Sequence, residues 1–246
     1  MIGAGTTAVV TGGSSGIGAA TASVLARRGC DVLVTGRDPA ALETVARRTG
    51  ARACAADLAG SGAAARVLAS AGDVDLLVCN AGVGWAGRLE DMPEADAETL
   101  VRVNLLAQIL LVRAVLPGMV ERGRGHLVFV SSIAGSMSVA GEAVYSATKA
   151  GLDAFAASVR GEVAGRGVGV SVVVPGVVDT PFFARRGTPY TRHSPRPVPP
   201  ERVAAALVAA VERNRAEVFV PRWLRLPARL RGVAPALTDA LQRRFA

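Results

Sequence analysis

Three polar side chains have the types and spacings that suit proton transfer: Ser132, Tyr145 and Lys149. Tyr145 and Lys149 are four residues apart, so in a helix they would share one face. An ammonium group near a phenol favours the phenolate and lowers a tyrosine pKa that is ordinarily about 10. This would prepare Tyr145 for proton transfer near neutral pH. Ser132 follows an apolar run that should be a strand, so its hydroxyl would point into the crevice beyond the sheet.

A tyrosine and a lysine four residues apart are most often an ordinary surface pair, but the composition of this chain argues against that explanation. Lysine and arginine together number 28, and Lys149 is the only lysine, so the other 27 are arginine. A position that needed only a positive charge would most often be arginine in such a chain. Tyr145 is one of two tyrosines, the other being Tyr190.

A glycine-rich loop follows the first apolar run, residues 7–11, and leads into an alanine-rich helical stretch. A strand that ends in glycines and opens into a helix presents backbone N–H groups and a positive dipole end to a phosphate. Gly12 would permit the tight turn, Gly16 the approach of a pyrophosphate, and Gly18 close packing of the helix on the sheet. An ordinary strand-to-helix turn has similar spacing, so the loop alone does not establish a dinucleotide site. The loop reads Gly12-Gly13-Ser14-Ser15-Gly16-Ile17-Gly18.

The end of the second apolar run, residues 30–35, should distinguish the two nicotinamide dinucleotides. An acidic residue at this place holds the 2′-hydroxyl of the adenosine ribose, whereas an arginine accommodates a 2′-phosphate. The expected acidic position is Gly36, and the next residue is Arg37. Asp38 precedes Pro39, which favours a role as the N-cap of the following helix. The sequence therefore favours NADP(H) and leaves NAD(H) as the alternative.

The composition argues against several classes of protein. The chain has 246 residues, of which 50% are hydrophobic, so intrinsic disorder is not expected. The length suits one large α/β domain that spans residues 1–246. Three cysteines lack the spacing of a zinc site or a disulfide framework, so no metal is expected and a reducing cytoplasm fits best. No signal-like start and no run of 18 apolar residues occur, so neither secretion nor a membrane span is expected.

The net charge of +8 is unevenly distributed. Residues 1–183 contain 15 basic and 16 acidic residues, a net charge of −1, whereas residues 184–246 contain 13 and 4, a net charge of +9. A basic chain suggests nucleic acid as a partner, but here the surplus is confined to the last quarter. Only 4% of the residues are aromatic, so base-stacking surfaces are scarce and nucleic-acid binding is not expected.

Short apolar runs alternate with helical stretches along the chain. The runs are apolar on both faces, as in parallel strands covered by helices on each side. Repeated units of this kind predict a single doubly wound, Rossmann-like α/β domain with about seven parallel strands. Residues 51–57 have poor β propensity and are assigned as the third strand from their order alone. Other strands are expected near 7–11, 30–35, 75–79, 125–130, 168–174 and 217–220, and long helices near 94–121 and 143–165.

Two segments depart from this alternation. Residues 181–200 contain six prolines and four arginines, and we interpret them as a structureless loop that acts as a lid. Residues 223–246 form a basic tail. His193 in the lid has no residue at a spacing typical of a catalytic partner, so it is expected to be an ordinary loop residue.

The substrate pocket should be apolar, and the lid residues Arg185 and Arg186 would either meet an anionic group or solvate the lid. The apolar candidates for the pocket are Gly84, Trp85, Val139, Phe182 and Phe183.

With these segments in place, the sequence resembles the short-chain dehydrogenases/reductases over about residues 5–223. Each matching segment is weak alone, but their order and spacing together are highly specific. The matching segments are Thr11 to Gly18, Asp57-Leu58, Asn80-Ala81-Gly82, Asn104, Ser131-Ser132, Tyr145 to Lys149, and Pro175-Gly176 followed by Thr180.

The resemblance implies catalytic roles for four residues. Tyr145 would be the general acid in carbonyl reduction and the base in alcohol oxidation. Lys149 would lower the pKa of Tyr145 and bind the hydroxyls of the nicotinamide ribose. Ser132 would hydrogen-bond the substrate carbonyl and stabilise the charge that develops on its oxygen. Asn104 would hold a water that connects Lys149 to solvent, although a polar residue inside a helix is the alternative.

The resemblance also implies a set of cofactor-binding residues. Asp57, followed by Leu58, would contact the adenine edge. The segment 80–82 would line the side of the adenine ribose, and the segment 175–180 would close over the nicotinamide. The full set is Gly12, Ser14, Ser15, Gly16, Ile17, Gly18, Arg37, Asp57, Leu58, Asn80, Ala81, Gly82, Tyr145, Lys149, Pro175, Gly176, Val178 and Thr180.

The chain departs from the family pattern after its last strand. Many bacterial members end there with an Asp-Gly-Gly-like segment, whereas this chain continues into Pro221-Arg222-Trp223 and the basic tail. A homo-oligomer is expected, but the tetramer of many 3-oxoacyl carrier-protein reductases is not assumed. The tail would be a solvated helix, a peripheral contact with the inner face of a membrane, or a contact with an acidic carrier protein, in that order of preference.

The sequence therefore predicts a cytoplasmic, NADPH-dependent oxidoreductase that interconverts a ketone or aldehyde and an alcohol. A medium-sized apolar carbonyl compound of lipid or secondary metabolism is the preferred substrate. Two alternatives stay open: an NAD-preferring alcohol dehydrogenase of the same fold, and a dinucleotide-sensing or membrane-associated protein without turnover. The intact set of Ser132, Tyr145 and Lys149 argues against the second.

Overall fold

A sheet of seven parallel strands forms the centre of the protein. The computed structural model describes residues 2–191 and 194–236. The strands are β1 Thr7–Thr11, β2 Asp31–Gly36, β3 Arg52–Ala55, β4 Leu76–Cys79, β5 Gly125–Val130, β6 Val168–Pro175 and β7 Glu217–Val220. Their spatial order is β3-β2-β1-β4-β5-β6-β7, and every pairing is parallel. This order confirms the predicted doubly wound, Rossmann-like fold.

Helices connect the strands on both faces of the sheet. The α-helices are α1 Gly16–Arg27, α2 Pro39–Thr49, α3 Ala63–Ala71, α4 Glu94–Val101, α5 Ala107–Glu121, α6 Ile133–Met137, α7 Ala143–Glu162, α8 Phe182–Arg185, α9 Pro200–Glu212 and α10 Arg225–Val233. Shorter turns are the 3₁₀ turns Leu89–Asp91 and Arg222–Leu224 and the π-helical turn Arg102–Leu106.

The core has two layers, because successive residues of a strand point to opposite faces of the sheet. In β1, Val9 packs in the layer that contains α3, α5 and α7, whereas Ala8 and Val10 pack in the layer that contains α1, α2 and α9. Both faces are therefore apolar, which explains why the strands appear in the sequence as continuous apolar runs.

The third strand is the element with the weakest sequence signal, and its position in the sheet explains why. β3 lies at the edge beside β2, and within it only Cys54 is buried. An exposed edge strand needs few large apolar side chains, so its alanines and arginine are tolerated. The assignment from order alone is confirmed at Arg52–Ala55.

A single buried hydroxyl joins the two strands at which the sheet changes direction. After β3 the chain crosses back to place β4 beside β1, so their carboxyl ends open on a shared crevice. Thr11 Oγ1 accepts hydrogen bonds from the backbone N–H groups of Asn80 and Ala81, each at 2.9 Å. The side chain of Asn80 donates in return to the carbonyl of Thr11 at 2.8 Å. The glycine loop and residues 80–82 are thereby held side by side.

The long helix predicted over residues 94–121 is interrupted in its middle. The π-helical turn Arg102–Leu106 separates α4 from α5, and Asn104 lies within it. Gln108 Nε2 donates to the carbonyl of Val103 at 3.0 Å, which satisfies a backbone group that the wider turn leaves available. π-Helical turns are rare and occur often at functional sites, so this one draws attention to Asn104.

The stretch Glu94–Glu121 is long and apolar enough to cross a membrane by length and composition, and an 18-residue window within it has a mean hydropathy of 1.8. In the structure 44% of that window is buried inside the protein. Its residues Leu111, Val112 and Val115 pack in the core layer beside the sheet. A core helix of a doubly wound domain has the same composition, because the side that faces the sheet must be apolar.

The segment 181–200 is more ordered than the structureless loop that the sequence predicted. It begins with the helical turn α8, and a parallel bridge between Val178 and Val198 closes its base. Two backbone hydrogen bonds of 2.9 Å, from Asp179 N to Val198 O and from Val198 N to Val177 O, support the bridge. His193 lies outside the described residues, and so do residues 237–246 of the tail.

We predict that Leu77→Ala lowers the free energy of unfolding by about 2–5 kcal/mol, because it removes buried methyl groups from the central strand and leaves a cavity. Leu77 has no exposed surface and packs in the layer with α3, α5 and α7. Leu226→Ala is the control: that side chain is 69% exposed, and the change should be below about 0.5 kcal/mol. Urea denaturation followed by circular dichroism measures both. Equal effects would contradict the central position of β4.

Candidate active site

The three side chains singled out in the sequence converge at one edge of the sheet. Tyr145 and Lys149 lie one turn apart on α7, and both are buried, at 8% and 4% exposure. Lys149 Nζ lies 5.8 Å from the centroid of the Tyr145 ring. Ser132 follows β5 and caps α6, where its Oγ accepts from the backbone N–H of Ala134 at 3.2 Å. The phenol therefore lies between a strand-end serine and a buried ammonium group.

The pKa of Tyr145 differs in direction from the sequence prediction. Burial raises the pKa above its ordinary value, and this effect is larger than the lowering by the facing Ser132 hydroxyl. The nearby charge of Glu142 raises the pKa further, and that of Arg186 lowers it. Lys149 does not offset the burial, and its Nζ donates to the carbonyl of Val130 at 2.9 Å. In this arrangement the phenol retains its proton at neutral pH.

The pKa of Lys149 is also shifted by burial, which lowers it to about 8, against a rise from the charge of Asp153. Asp153 lies one further turn along α7, so Tyr145, Lys149 and Asp153 occupy one helix face at intervals of four residues. The sequence analysis missed Asp153, although its spacing from Lys149 was a signal that could have identified it.

Asp153 is a buried carboxyl group with few compensating contacts. Burial raises its pKa to about 6, while the neighbouring Ser131 hydroxyl and the Lys149 charge lower it and the Glu217 charge raises it. Within the described residues, Asp153 Oδ1 and Ser131 Oγ lack a partner with hydrogen-bond geometry. A carboxylate in such surroundings acts mainly through its charge, which supports the protonated form of Lys149.

Asn104 is fully buried and connects three parts of the site. Its Oδ1 accepts from the backbone N–H of Val83 at 2.8 Å, and its Nδ2 donates to the Val83 carbonyl at 2.9 Å and to Thr148 Oγ1 at 3.2 Å. It thus fixes the segment after β4 against α7, beside Lys149. A Cβ atom on Gly82 would lie 3.4 Å from Asn104 Oδ1 and 3.6 Å from Lys149 Nζ. The water that Asn104 is expected to hold between Lys149 and solvent remains a prediction.

The glycine loop forms a cradle in which side chains would collide. Gly12 has φ +65°, and a Cβ atom there would lie 2.9 Å from the Cα of Ala81. A Cβ atom on Gly16, whose φ is +53°, would lie 2.8 Å from Cγ2 of Thr180. A Cβ atom on Gly18 would overlap the carbonyl oxygen of Gly12, so close packing of α1 requires glycine there.

The N-terminus of α1 is available to an anion. Ser15 is its N-cap and forms no capping hydrogen bond through its side chain, so the first-turn N–H groups have no side-chain partner of that kind. Arg185 from α8 donates to Ser15 Oγ at 3.1 Å, which adds a cation at the same place. Ser14 and Ile17 complete the loop, Ser14 near Gly36 and Ile17 against the core. These residues fit a dinucleotide with its pyrophosphate at the helix N-terminus.

The residues expected around the adenosine half lie on both sides of this loop. Arg37 is exposed at the carboxyl end of β2 and forms no ion pair within the part of the chain that the structure describes. Asp38 Oδ1 accepts from Ala41 N at 3.0 Å, which confirms its role as the N-cap of α2. Asp57 is exposed after β3, whereas Leu58 is a core residue.

The segment after β6 lies over the glycine loop, where the nicotinamide half was expected. Pro175 ends β6, and Gly176 lies so close to Leu224 that a Cβ atom would be 2.7 Å from its Cδ1. Val178 is buried and forms the bridge at the base of the lid. Thr180 faces Gly16, and its Oγ1 accepts from Phe182 N at 3.4 Å.

An apolar cavity of about 300 Å³ opens beside Tyr145. Its walls are the segment after β4 and the start of α7, and they include Trp85, Leu89, Met92, Leu100 and Val144. Phe182 packs on Tyr145, with ring centroids 5.6 Å apart, and also closes on Gly84.

The apolar character predicted for the pocket is thus found, with Val139 in the same cluster. Phe183 turns instead towards Tyr190, at 5.4 Å between ring centroids.

A buried ion pair fastens the lid to the start of α7. Arg186 Nη1 pairs with Glu142 Oε1, and the two side chains are 9% and 17% exposed. The Arg186 guanidinium also lies 4.6 Å from the ring centroid of Phe183. The sequence analysis assigned Arg186 either to an anionic substrate group or to solvent, but in the structure it faces inward to a carboxylate. Glu142 was missed, because nothing in its sequence surroundings indicates a partner 44 residues away.

The comparison with protein families agrees with this geometry. The model of the short chain dehydrogenases matches residues 6–190. The chain belongs to the short-chain dehydrogenase/reductase family. It is therefore an oxidoreductase of a family that uses nicotinamide dinucleotides.

Two curated relatives in this family align over most of the chain. The chain is 39% identical to an uncharacterized oxidoreductase of Myxococcus xanthus over 97% of each chain. It is 35% identical to the 3-oxoacyl-[acyl-carrier-protein] reductase FabG of Escherichia coli, over 72% of this chain and 75% of the relative.

Two solved structures show the same fold with different dinucleotides. A short-chain dehydrogenase from Sphingobium yanoikuyae in complex with NADPH is 28% identical, with TM-score 0.84 over 94% of this chain and 95% of that one. A family member from Burkholderia phymatum in complex with NAD is 24% identical, with TM-score 0.85 over 96% of both, a likeness of fold alone.

We predict that Asp153→Asn moves the basic limb of the pH profile of kcat/KM to lower pH. Lys149 has a pKa of about 8 and is protonated below it. The Asp153 carboxylate raises that pKa, so its removal makes Lys149 lose its proton at a lower pH. Asp73→Asn is the control, because Asp73 is 86% exposed and distant in sequence from the site. A basic limb at the same pH in Asp153→Asn and in the unaltered protein would contradict the role of Asp153.

Proposed function

We propose that the protein is an NADPH-dependent oxidoreductase that interconverts a ketone or aldehyde and an alcohol, with Tyr145 as the general acid and base. The observation that carries the proposal is the placement of Tyr145 between Ser132 and Lys149, at the edge of the sheet where the glycine cradle opens. A site for carbonyl chemistry and a site for a dinucleotide thus meet at one crevice.

Ser132 and Tyr145 act together on the oxygen of the substrate. When bound in the glycine cradle, a reduced nicotinamide dinucleotide would supply the hydride for the carbonyl carbon. Ser132 donates a hydrogen bond to the carbonyl oxygen and stabilises the negative charge that develops there. Tyr145 transfers its phenolic proton to that oxygen, which completes the alcohol. In alcohol oxidation the phenolate accepts the same proton.

Lys149 assists proton transfer by Tyr145 in both carbonyl reduction and alcohol oxidation. Its ammonium group binds the hydroxyls of the nicotinamide ribose, and its charge favours the phenolate that remains after proton transfer. With a pKa lowered to about 8 by burial, Lys149 can also lose a proton near neutral pH. Asn104 fixes Val83 and Thr148 around this group and is proposed to hold the water that leads to solvent.

The preference for NADP(H) rests on the surroundings of the second strand. Arg37 is exposed beside the glycine loop, where a guanidinium group can meet a 2′-phosphate. Asp38, the nearest carboxylate in sequence, is already used as the N-cap of α2. The observed cap weakens the alternative that NAD(H) is preferred, because that cofactor requires an acceptor for its 2′-hydroxyl.

The substrate is a medium-sized apolar carbonyl compound. The cavity of about 300 Å³ beside Tyr145 is lined mainly by apolar side chains. This size and lining suit an aliphatic or cyclic ketone or aldehyde, and the similarity to a 3-oxoacyl-[acyl-carrier-protein] reductase supports carbonyl reduction.

The protein acts in the cytoplasm as a homo-oligomer. The three cysteines are buried free thiols, which suits a reducing compartment. Val101, Leu106 and Leu110 on the outer side of the segment from α4 to α5 are each 43% exposed, and they offer an apolar face to a second copy.

We predict that Tyr145→Phe lowers kcat for NADPH oxidation, over a panel of ketones and aldehydes, by about 10²–10⁴-fold, because it removes the proton donor. Tyr190→Phe is the control, since it removes the only other phenol, whose hydroxyl donates to the carbonyl of Pro195. Retained NADPH binding by Tyr145→Phe would show an intact fold. Full activity of that variant would refute Tyr145 as the acid, and no turnover by the unaltered protein would favour a non-catalytic dinucleotide sensor.

We predict that Arg37→Gln raises the Kd for NADPH about tenfold or more and leaves the Kd for NADH nearly unchanged, because it removes a charge-assisted contact to the 2′-phosphate. Fluorescence titration measures both constants. Arg47→Gln on α2 is the control, at a side chain that is 66% exposed. Tighter binding of NADH than NADPH by the unaltered protein would contradict the proposed preference.

A further inference from the structure

The segment after β7 has an inner face that is fixed to the domain. The chain passes through the 3₁₀ turn Arg222–Leu224 into α10. Leu224 is buried at 6% exposure and forms a cluster with Val174 and Phe219, against which Ala228 also packs. The first two turns after β7 are therefore part of the folded body.

The outer face of the same segment is apolar and exposed. Eight large apolar side chains of the described residues are exposed, and four of them lie here. They follow one another at intervals of three, four and three residues, so they form a single stripe along the helix. The stripe consists of Trp223, Leu226, Leu230 and Val233, which are 56%, 69%, 40% and 88% exposed. Leu224 and Ala228 occupy the opposite side.

Arginines flank this stripe. Residues 221–236 contain four arginines and no acidic residue. Arg222 and Arg225 are exposed and form no ion pair in residues 2–191 and 194–236, the described part of the chain. Arg229 lies 3.2 Å from Glu217, in a pair whose side chains are 64% and 38% exposed. Arg231 turns inward and donates to the carbonyl of Met137 at 2.6 Å.

We propose that this stripe and its three outward arginines, Arg222, Arg225 and Arg229, form a docking surface for an anionic lipid membrane. Apolar side chains beside arginines suit the boundary between acyl chains and negatively charged headgroups. Trp223 has the amphipathic ring that suits the same depth. A short helix of this kind buries little apolar area, so the attraction between arginine and headgroup must contribute to the affinity.

Charge complementarity favours lipid over a second copy of the chain. A twofold contact through α10 would bring Arg222, Arg225 and Arg229 of each copy together. Residues 221–236 contain no carboxylate, and Glu217 pairs with Arg229 alone among these three. The chain before this segment, residues 1–220, contains 22 basic and 19 acidic residues, a net charge of +3, and so has no negative surplus to attract these arginines. An anionic bilayer supplies both the apolar interior and the opposite charge.

The docking surface lies next to the catalytic edge of the sheet, which is the edge at which Ser132 and Tyr145 lie. α10 packs beside α6, the helix that Ser132 caps, and the bond between Arg231 and Met137 fastens the two. Leu224 at the start of the segment contacts Gly176, which follows β6 at the site. Docking would therefore bring the catalytic edge near the lipid surface, and the proposal does not depend on which substrate is used.

Cosedimentation of the full chain with vesicles tests this surface. We expect binding to phosphatidylcholine mixed with phosphatidylglycerol, little binding to phosphatidylcholine alone, and release by high salt. The triple exchange of Arg222, Arg225 and Arg229 to Gln should weaken binding about tenfold to a hundredfold. The matched control exchanges three other exposed arginines, Arg66, Arg113 and Arg166, to Gln and should change binding by less than about twofold.

A separate variant and a tryptophan fluorescence signal test the contribution of the apolar stripe to membrane binding. Trp223→Ser combined with Leu226→Ser should weaken vesicle binding without changing the Kd for NADPH, which reports the fold. The chain has two tryptophans, so in a Trp85→Phe background the emission of Trp223 should shift to shorter wavelength on the mixed vesicles.

Three outcomes would overturn the proposal. These are no binding of the unaltered protein to the mixed vesicles, an equal loss of binding in the control arginine variant, or vesicle binding without a shift in Trp223 emission. Loss of self-association in Trp223→Ser/Leu226→Ser, together with no vesicle binding by the unaltered protein, would identify a second copy as the occupant instead.

Discussion

The hydroxyl of Thr11 fixes the geometry on which the whole site depends. It is fully buried, accepts two backbone N–H groups from residues 80 and 81, and donates to the carbonyl of Val78 at 3.2 Å. These bonds place the glycine loop after β1 beside the segment after β4. That segment in turn passes Gly82 and Val83, which contact Asn104 and Lys149. The glycine loop and Lys149 are thus positioned relative to each other through one shared contact at the strand crossover.

Burial shifts the pKa values of Tyr145 and Lys149 in opposite directions. It raises the pKa of Tyr145 and lowers that of Lys149, so both side chains shift towards their neutral forms. A phenol that keeps its proton is a proton donor, which suits the reduction of a carbonyl group. The charges of Asp153 and Glu142 act in different ways, since Asp153 supports the lysine ammonium and Glu142 opposes the phenolate. Arg186 reduces the effect of Glu142, so the lid influences Tyr145 through charge as well as through the contact of Phe182.

The sequence predicted those features that depend on neighbouring residues. The apolar runs, the glycine loop and the Asp38 cap were located because each has a local signal, and the i, i+4 spacing placed Tyr145 and Lys149 on one face. The direction of the Tyr145 pKa was wrong, because sequence does not show how burial compares with the charge of Lys149. The pair of Glu142 and Arg186 and the contact of Arg185 with Ser15 were not predictable, since they join segments 44 and 170 residues apart. Asp153 had a local signal, but its burial depends on the packing of α7 against the sheet.

Arginines in the last quarter of the chain lie in different surroundings. In the lid, the exposed Arg185 donates to Ser15 at the dinucleotide cradle, and Arg186 pairs with Glu142 at the start of α7. Arg222, Arg225 and Arg229 of the following segment turn outward beside an apolar stripe. An arginine in a buried ion pair, such as Arg186, adds little to the electrostatic potential at the surface, whereas exposed arginines determine that potential. The net charge of +9 in residues 184–246 therefore does not by itself indicate a partner, because it combines buried, paired arginines with exposed ones. Part of the exposed charge lies on Arg222, Arg225 and Arg229, on the segment that packs beside α6, the helix that Ser132 caps.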